Sequence, residues 1–254
     1  MSLLDTIKAL SESYSHGTIE VRRHLHANPE LSYQEVQTAL YVAAQLRESG
    51  IEPIEGIAQT GVMAEIKGRN PGLKSIALRA DMDALPIEEA NNVVYKSRNP
   101  GVMHACGHDV HTSSLLGTAK ILNQVKDQFE GTVRLLFQPG EERNPGGASY
   151  MIRDGALENP RPSAIMGQHV FPLLPVGKIG FREGMYMASA DEIYLKVIGK
   201  GGQGAAPELC IDPSVIASHI IIALQQIISR NANPRQPTVL TFGNIVGQGA
   251  TNII

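Results

Sequence analysis

The sequence predicts an α/β fold, in which helices flank a central sheet, because two kinds of segment alternate along the chain. The strand-like segments are the short apolar runs at 61–66, 75–80, 132–137 and 163–168, and the helical segments between them are 110–126 and 147–154. Ahead of these, Ser32 followed by Glu35 forms a capping-box pattern, which predicts a helix that ends near Gly50.

A second, smaller α+β domain is predicted from residue 186 onward, where the pattern of predicted elements changes. A strand-like run at 188–199 is followed by the glycine-rich KGGQGAAP segment, a helix, and another strand-like run at 237–243. The helix would gather apolar side chains on one face, at Ile216, Ile220, Ala223, Leu224, Ile227 and Ile228. We therefore divide the chain into residues 1–185 and 186–254.

The composition is that of a globular protein and argues against several classes of function. The 254 residues are 43% hydrophobic, and 22 Lys and Arg stand against 25 Asp and Glu, with no basic run suited to nucleic acid. Two cysteines without a CxxC pair exclude a disulfide framework. The start lacks the pattern of a secretory signal, and the apolar stretch at 215–228 is too short and interrupted for a membrane span, so we expect a core helix there. We expect a cytoplasmic protein with neither nucleic-acid nor membrane partners.

Residue types that bind metals or move protons follow the predicted strands. They form four clusters: Asp81 with Asp83, Cys106 with His108, Glu141 with Glu142, and His169. Binding sites in open α/β sheets lie beyond the carboxyl ends of the strands, so these clusters are predicted to converge in one crevice.

Each cluster could have a purely structural role instead of a functional one. Cys106 and His108 could face one borderline-soft ion from a tight loop, or be a buried structural cysteine beside histidines that cap a helix. Glu141 and Glu142 could divide the work, one binding the ion and the other accepting a proton from the attacking water; otherwise they are a solvated pair in a turn. His169 alone would suggest a structural histidine, but its place at a strand end favours a ligand.

Asp81 and Asp83 alternate at the end of a strand, so both are predicted to point to the same side. One could orient a ligand histidine, and the alternative is two exposed carboxylates. Nucleotide binding is rejected, because KGGQGAAP lacks both the Lys-Ser/Thr ending of a P-loop and the GxGxxG spacing. No GxSxG elbow points to a serine nucleophile either.

The motifs RRHLHANPELSYQE, ALRADMDALPIEE, MHACGHDVHTSSLLGTA, LLFQPGEE and GQHV together resemble the aminoacylase-like metallopeptidases. The similar group is that of hippurate hydrolases, N-acyl amino acid amidohydrolases and indoleacetyl-amino acid hydrolases. The resemblance implies a zinc-peptidase-like catalytic sheet within residues 1–185 and an inserted α+β lid, from 186, through which homodimers form. It also implies hydrolysis of the amide bond of small N-acyl amino acids.

The resemblance further implies the cofactor and the roles of individual residues. Two divalent ions, Zn²⁺ or Mn²⁺ with Co²⁺ or Ni²⁺ possible, would be held by Cys106, His108, Glu142 and His169. Glu141 would act as the general base toward a metal-activated water, and Asp83 would support the metal site.

Two departures from the family pattern bear on activity. The sequence has GGQGA where the family has GGHGA, so Gln203 stands at a histidine thought to stabilise the oxyanion; Gln can donate a hydrogen bond but carries no charge. Family members also continue well beyond the equivalent of Ile254, so we expect a truncated chain with an incomplete lid. The alternative to an amidohydrolase is therefore a non-catalytic remnant that binds metal weakly or has an association role.

Overall fold

The computed structural model describes residues 2–254, and the chain divides after Val176 into two compact units. The predicted domain boundary, between residues 185 and 186, stays a prediction. In the first unit the helices are α1 (Leu3–Ala27), α2 (Val36–Glu48), α3 (His108–Gln124) and α4 (Gly147–Arg153). Its strands are β1 (Pro53–Ile57), β2 (Gly61–Lys67), β3 (Ser75–Asp81), β4 (Thr132–Gln138) and β5 (Ile165–Gly167).

The five strands form one mixed sheet in the order β1-β2-β4-β3-β5. The β1-β2 and β2-β4 pairs are antiparallel, whereas β4, β3 and β5 run parallel, with Leu78 opposite Leu135 on one side and Met166 on the other. The carboxyl ends of the three parallel strands therefore share one edge of the sheet. The predicted α/β class is confirmed, although β1 and α1 were not predicted.

Helices cover both faces of the sheet. Val133, Leu135 and Phe137 of β4 pack in the larger core cluster, together with buried side chains of α1, α2 and α3. Leu136 points the other way and packs with Met151 of α4. Every residue of β4 is buried, as expected of a strand covered on both faces, and this burial makes β4 a rigid base for the loop that follows it.

The helix predicted after Ser32 is present, but its predicted capping box is wrong. The helix begins at Val36, with Glu35 at the N-cap and no side-chain cap hydrogen bond. Ser32 Oγ donates instead to Asp83 Oδ2 at 2.6 Å. A buried carboxylate competes successfully for this hydroxyl, which the local sequence pattern could not reveal. The helix ends at Glu48, and Gly50 adopts φ +71° just beyond it.

Residues 177–254 form the second unit, whose main element is α5 (Pro213–Gln226). Asp212 caps this helix by accepting hydrogen bonds from the backbone N–H groups of Ser214 and Val215. Across these residues, all of which the structure describes, no strand ladder forms, so the strands predicted at 188–199 and 237–243 are absent. The core-helix prediction is also wrong, because no residue of α5 is buried. Strands and apolar helix faces need partners, which propensity alone does not supply.

Within residues 2–254, none of the helices combines the length and the apolar character that crossing a membrane requires.

Candidate metal centre

The four predicted metal ligands lie at the carboxyl edge of the sheet in two groups that share His108: Cys106 and His169 join it in one group, and Glu141 and Glu142 in the other. His108 opens α3, Cys106 lies in the turn before it, Glu142 follows β4, and His169 follows β5. Gly107 shapes the turn at φ +87°, and a side chain there would overlap Val170, so the glycine is required for this approach. The residues that follow the separate strands therefore lie close together, as the sequence pattern predicts.

His108 is oriented with one ring nitrogen toward the centre of the cluster. Its Nδ1 lies 2.8 Å from the carbonyl oxygen of Asp83 and 3.2 Å from Asp83 Oδ1, so Nδ1 carries the proton and donates. Its Nε2 is buried without a hydrogen-bond partner, 3.8 Å from Glu142 Oε1 and 3.9 Å from Glu141 Oε2. Nδ1 is thus committed to Asp83, and Nε2 is the nitrogen that can bind a metal ion once it has lost its proton.

His169 and Glu142 show the same pattern. His169 Nδ1 donates to the carbonyl oxygen of Val170 at 2.7 Å, which leaves Nε2 facing Cys106 Sγ at 3.3 Å. Glu142 Oε1 is buried and, like His108 Nε2, has no hydrogen-bond partner. Unpartnered buried polar atoms are uncommon in proteins, and sulfur, nitrogen and oxygen donors in one cluster suit a divalent transition ion. The residues present therefore fit a metal ion.

Asp81 and His111 belong to a neighbouring network whose atoms are already used. His111 Nδ1 lies 2.6 Å from Asp81 Oδ1, and its Nε2 accepts from the backbone N–H of Val170 at 2.9 Å. The other oxygen of Asp81 accepts from Arg79 at 2.6 Å. With both imidazole nitrogens occupied, His111 is better placed to fix the loop of His169 than to bind an ion.

The electrostatics of the cluster favour a cation. Burial alone would lower the pKa of His108, but the hydrogen bond with Asp83, the neighbouring Cys106 and the charge of Asp81 outweigh it and raise this pKa to about 11. The same negative charge would attract a divalent ion, which competes with the proton for Nε2.

The two carboxyl groups with predicted catalytic roles have pKa values shifted in opposite directions. Burial, followed by the charge of Glu142, raises the pKa of Glu141. For Asp83, burial acts in the same sense, but hydrogen bonds from His108 and Ser32 outweigh it and lower the pKa. Asp83 is thus favoured as an anion, whereas the raised pKa of Glu141 makes its carboxylate a better proton acceptor.

Behind the cluster, a buried network that was not predicted from the sequence ties α3 to α1. Asp109 Oδ2 accepts a hydrogen bond from His26 Nδ1 at 2.8 Å and forms an ion pair with Arg22, whose Nε lies 2.7 Å away. His26 Nε2 lies 3.2 Å from Glu89. Since Asp109 follows His108 directly, the network anchors the first turn of α3. The three-residue spacing of His108 and His111, which puts both on one helix face, was the available signal for the site network.

Gln203 lies in the second unit, where its backbone pairs with that of Ile253. Its predicted contribution to oxyanion stabilisation stays a prediction.

The network around Asp81 makes a prediction about stability and pH. Burial opposes ionisation, but the hydrogen bond with His111 and the charge of Arg79 lower the pKa of Asp81 from 3.8 to about 2. A depressed carboxyl pKa stabilises the fold above pH 3.8, and this contribution is lost as the pH falls to 2. We expect Asp81→Asn to cost about 2 kcal/mol at pH 7, and less near pH 3, in urea unfolding. A cost independent of pH would contradict this assignment.

These groups of candidate metal ligands lie beyond the carboxyl ends of parallel strands in a helix-covered sheet, where binding sites of open α/β folds occur. Residues 77–249 match the family described as Peptidase family M20/M25/M40. This match extends over more than half of the chain, and the chain belongs to that family.

Relatives and a solved structure agree with this membership. The chain is 44% identical to an N-acyl-L-amino acid amidohydrolase of Geobacillus stearothermophilus, over 98% of this chain and 67% of that protein. It is 46% identical to a hippurate hydrolase of Campylobacter jejuni, over 92% of this chain and 60% of that protein. A crystal structure of the Bacillus subtilis YXEP protein, described as a dinuclear metal binding peptidase, superposes with a TM-score of 0.64 at 48% identity, over 68% of this chain and 48% of that one. The chain thus spans about half to two thirds of the length of these relatives.

Proposed function

We propose that the protein hydrolyses the amide bond of small N-acyl amino acids, using two divalent ions bound by Cys106, His108, Glu142 and His169. The observation that carries the proposal is the pair of candidate ligand groups that share His108, above all their two buried atoms without a hydrogen-bond partner, His108 Nε2 and Glu142 Oε1. The substrate class is supported by the names of the two relatives, and the dinuclear site by the description of the YXEP protein.

The chain's own residues divide the chemistry among them. When bound, divalent ions polarise the scissile carbonyl and lower the pKa of water. Glu141 takes the proton from the water as the new bond between oxygen and carbon forms. It then gives this proton to the amine nitrogen as the bond between carbon and nitrogen breaks, which releases a free amino acid and a carboxylic acid that loses its remaining proton to the solvent. The raised pKa of Glu141 suits a group that accepts and returns a proton.

In this proposal Asp83 positions the proposed metal ligands and takes no part in the bond-making steps. It holds the His108 ring through Nδ1, and its Oδ2 accepts from the backbone N–H of Glu142 at 2.9 Å. One carboxylate thereby sets the relative positions of two proposed ligands that come from different elements. Gln203 would add a neutral hydrogen bond to the developing oxyanion.

A direct test is hydrolysis of N-benzoylglycine and of N-acetyl amino acids by the purified 254-residue chain, loaded with Zn²⁺ or Mn²⁺. We expect turnover that a chelator abolishes and added metal restores. Tight metal binding without turnover on any N-acyl amino acid would overturn the hydrolase proposal and favour a non-catalytic metal-binding protein.

Metal binding should release protons, because His108 must lose its Nε2 proton to bind an ion. With the pKa of His108 raised to about 11, the metal-free imidazole is protonated at pH 7. The metal affinity is therefore expected to rise about tenfold per pH unit for each proton displaced, across about pH 6 to 8. Calorimetric titration in two buffers of different ionisation enthalpy measures the number of protons. Binding without proton release would contradict a role for His108 as a ligand.

A further inference from the structure

The short segment of residues 32–35, between α1 and α2, contacts both Asp83 and the loop of Glu141 and Glu142, but none of its residues is a proposed metal ligand. Ser32 Oγ donates to Asp83 Oδ2 at 2.6 Å, and Asp83 orients His108. Glu35 Oε1 accepts from the backbone N–H of Gly140 at 2.7 Å, directly before Glu141. One segment therefore touches both the residue that orients a histidine and the loop that carries the two glutamates.

Glu35 is an unusual residue for its position. It stands at the N-cap of α2, yet its side chain makes no cap hydrogen bond and is fully buried. Its Oε2 accepts from Thr60 Oγ1 at 2.8 Å, and burial raises its pKa. The helix is capped from elsewhere, by Glu30, which accepts from the backbone N–H groups of Gln37 and Thr38. Burying a carboxylate is costly, and here the interactions that offset the cost hold the loop rather than the helix.

The aromatic ring of Tyr33 also packs against the loop that carries Glu141 and Glu142. The φ of Tyr33, 63°, is strained for a residue other than glycine, and such strain persists only where neighbouring structure enforces it. The ring lies against Gly140, which itself has φ +56° and where any side chain would overlap the ring. The Tyr33 hydroxyl donates to the carbonyl oxygen of Arg143 at 3.4 Å. The loop of Glu141 and Glu142 is thus held on both sides of the two glutamates.

We propose that residues 32–35 form a positioning brace that fixes Glu141 and Glu142 relative to Asp83 and His108. Asp83 Oδ2 is where the contacts meet, since it accepts from both Ser32 Oγ and the backbone N–H of Glu142. The brace acts through the metal centre, so its effect on turnover rests on the proposed function. Its effect on the loop of Glu141 and Glu142 is independent of that function.

The first test measures hydrogen exchange of peptides that cover residues 139–143 in Glu35→Ala and in a matched control, Glu30→Ala. Both variants lose a carboxylate from the segment between α1 and α2, but the side chain of Glu30 bonds to the start of α2, at Gln37 and Thr38. We expect Glu35→Ala to speed exchange of these peptides about 10-fold or more through local opening. The control should loosen α2 and leave residues 139–143 within about twofold of the wild-type chain. Equal exchange of this loop in the two variants would overturn the brace.

The second test compares metal affinity and kinetics and includes the conservative variant. We expect Glu35→Ala to weaken Zn²⁺ binding about 10- to 100-fold, the size of loss found for residues that support metal ligands, and to lower kcat more than it changes KM because the brace contacts the proposed ligands and not the substrate. Glu35→Gln retains an acceptor for Gly140 and should recover most of both. If the wild-type chain binds Zn²⁺ but shows no turnover, the proposed function is wrong. The hydrogen-exchange test of the brace remains valid in that case. Normal Zn²⁺ affinity and kcat in Glu35→Ala defeat the brace alone.

Discussion

Replacing Glu141 by glutamine is expected to lower kcat for N-acyl amino acid hydrolysis by ~10²–10⁴-fold, because the amide can neither accept nor return the proton. Metal binding should persist, since Glu141 is about two fifths exposed and, unlike Glu142, has no buried oxygen left without a hydrogen-bond partner. The measurement is steady-state hydrolysis together with bound metal per chain. The rate should fall while the metal content stays.

The neighbouring residue supplies the contrast. Glu142→Gln replaces a group whose buried Oε1 faces the cluster, so we expect weaker metal binding and a rate that excess metal partly restores. Two adjacent glutamates would then give different defects. If Glu141→Gln loses metal as strongly as Glu142→Gln, the separation into a proton carrier and a ligand is wrong.

Cys106→Ser is expected to weaken metal binding by about 10- to 100-fold or more, the size of effect seen when even supporting residues of a metal site are removed. A hydroxyl is a poorer ligand for a borderline-soft ion than a thiolate. Cys106 Sγ lies 3.3 Å from His169 Nε2, so its loss also leaves that imidazole without its neighbour in the site.

The second cysteine of the chain offers a matched control. Cys210 lies in the other unit, and its thiol donates to the carbonyl oxygen of Ala206 at 3.6 Å. Cys210→Ser should leave both metal affinity and turnover unchanged. Competition of each variant against a chromophoric chelator measures the affinities. Similar losses in both variants, or in neither, would contradict the assignment of Cys106 as a ligand.

The sheet of the first unit could be predicted because its strands are strongly patterned. The runs at 61–66, 75–80 and 132–137 lie within β2, β3 and β4, and the run at 163–168 contains the shorter β5. Parallel strands bring their carboxyl ends to one edge, so polar residues after separate strands could be expected to meet. The convergence of Cys106, His108 and His169 could therefore be predicted from the amino-acid sequence alone.

The residues that support the site could not be predicted in the same way. Ser32 matches a helix cap in the local sequence, and only the tertiary fold shows that Asp83, 51 residues away, takes its hydroxyl instead. Glu35 likewise finds its partner in Gly140, at a separation of 105 residues. Interactions of this range leave no periodic signal, and in the second unit the predicted strands found no ladder partner at all.

The most direct test of the proposed metal-dependent hydrolysis is a titration of the metal-free 254-residue chain with Zn²⁺ or Mn²⁺, following bound metal and hydrolysis of N-benzoylglycine in the same samples. We expect turnover to rise with bound metal and to level off at about two ions per chain. Turnover that is complete without metal, or a folded chain that retains no metal, would contradict the proposal.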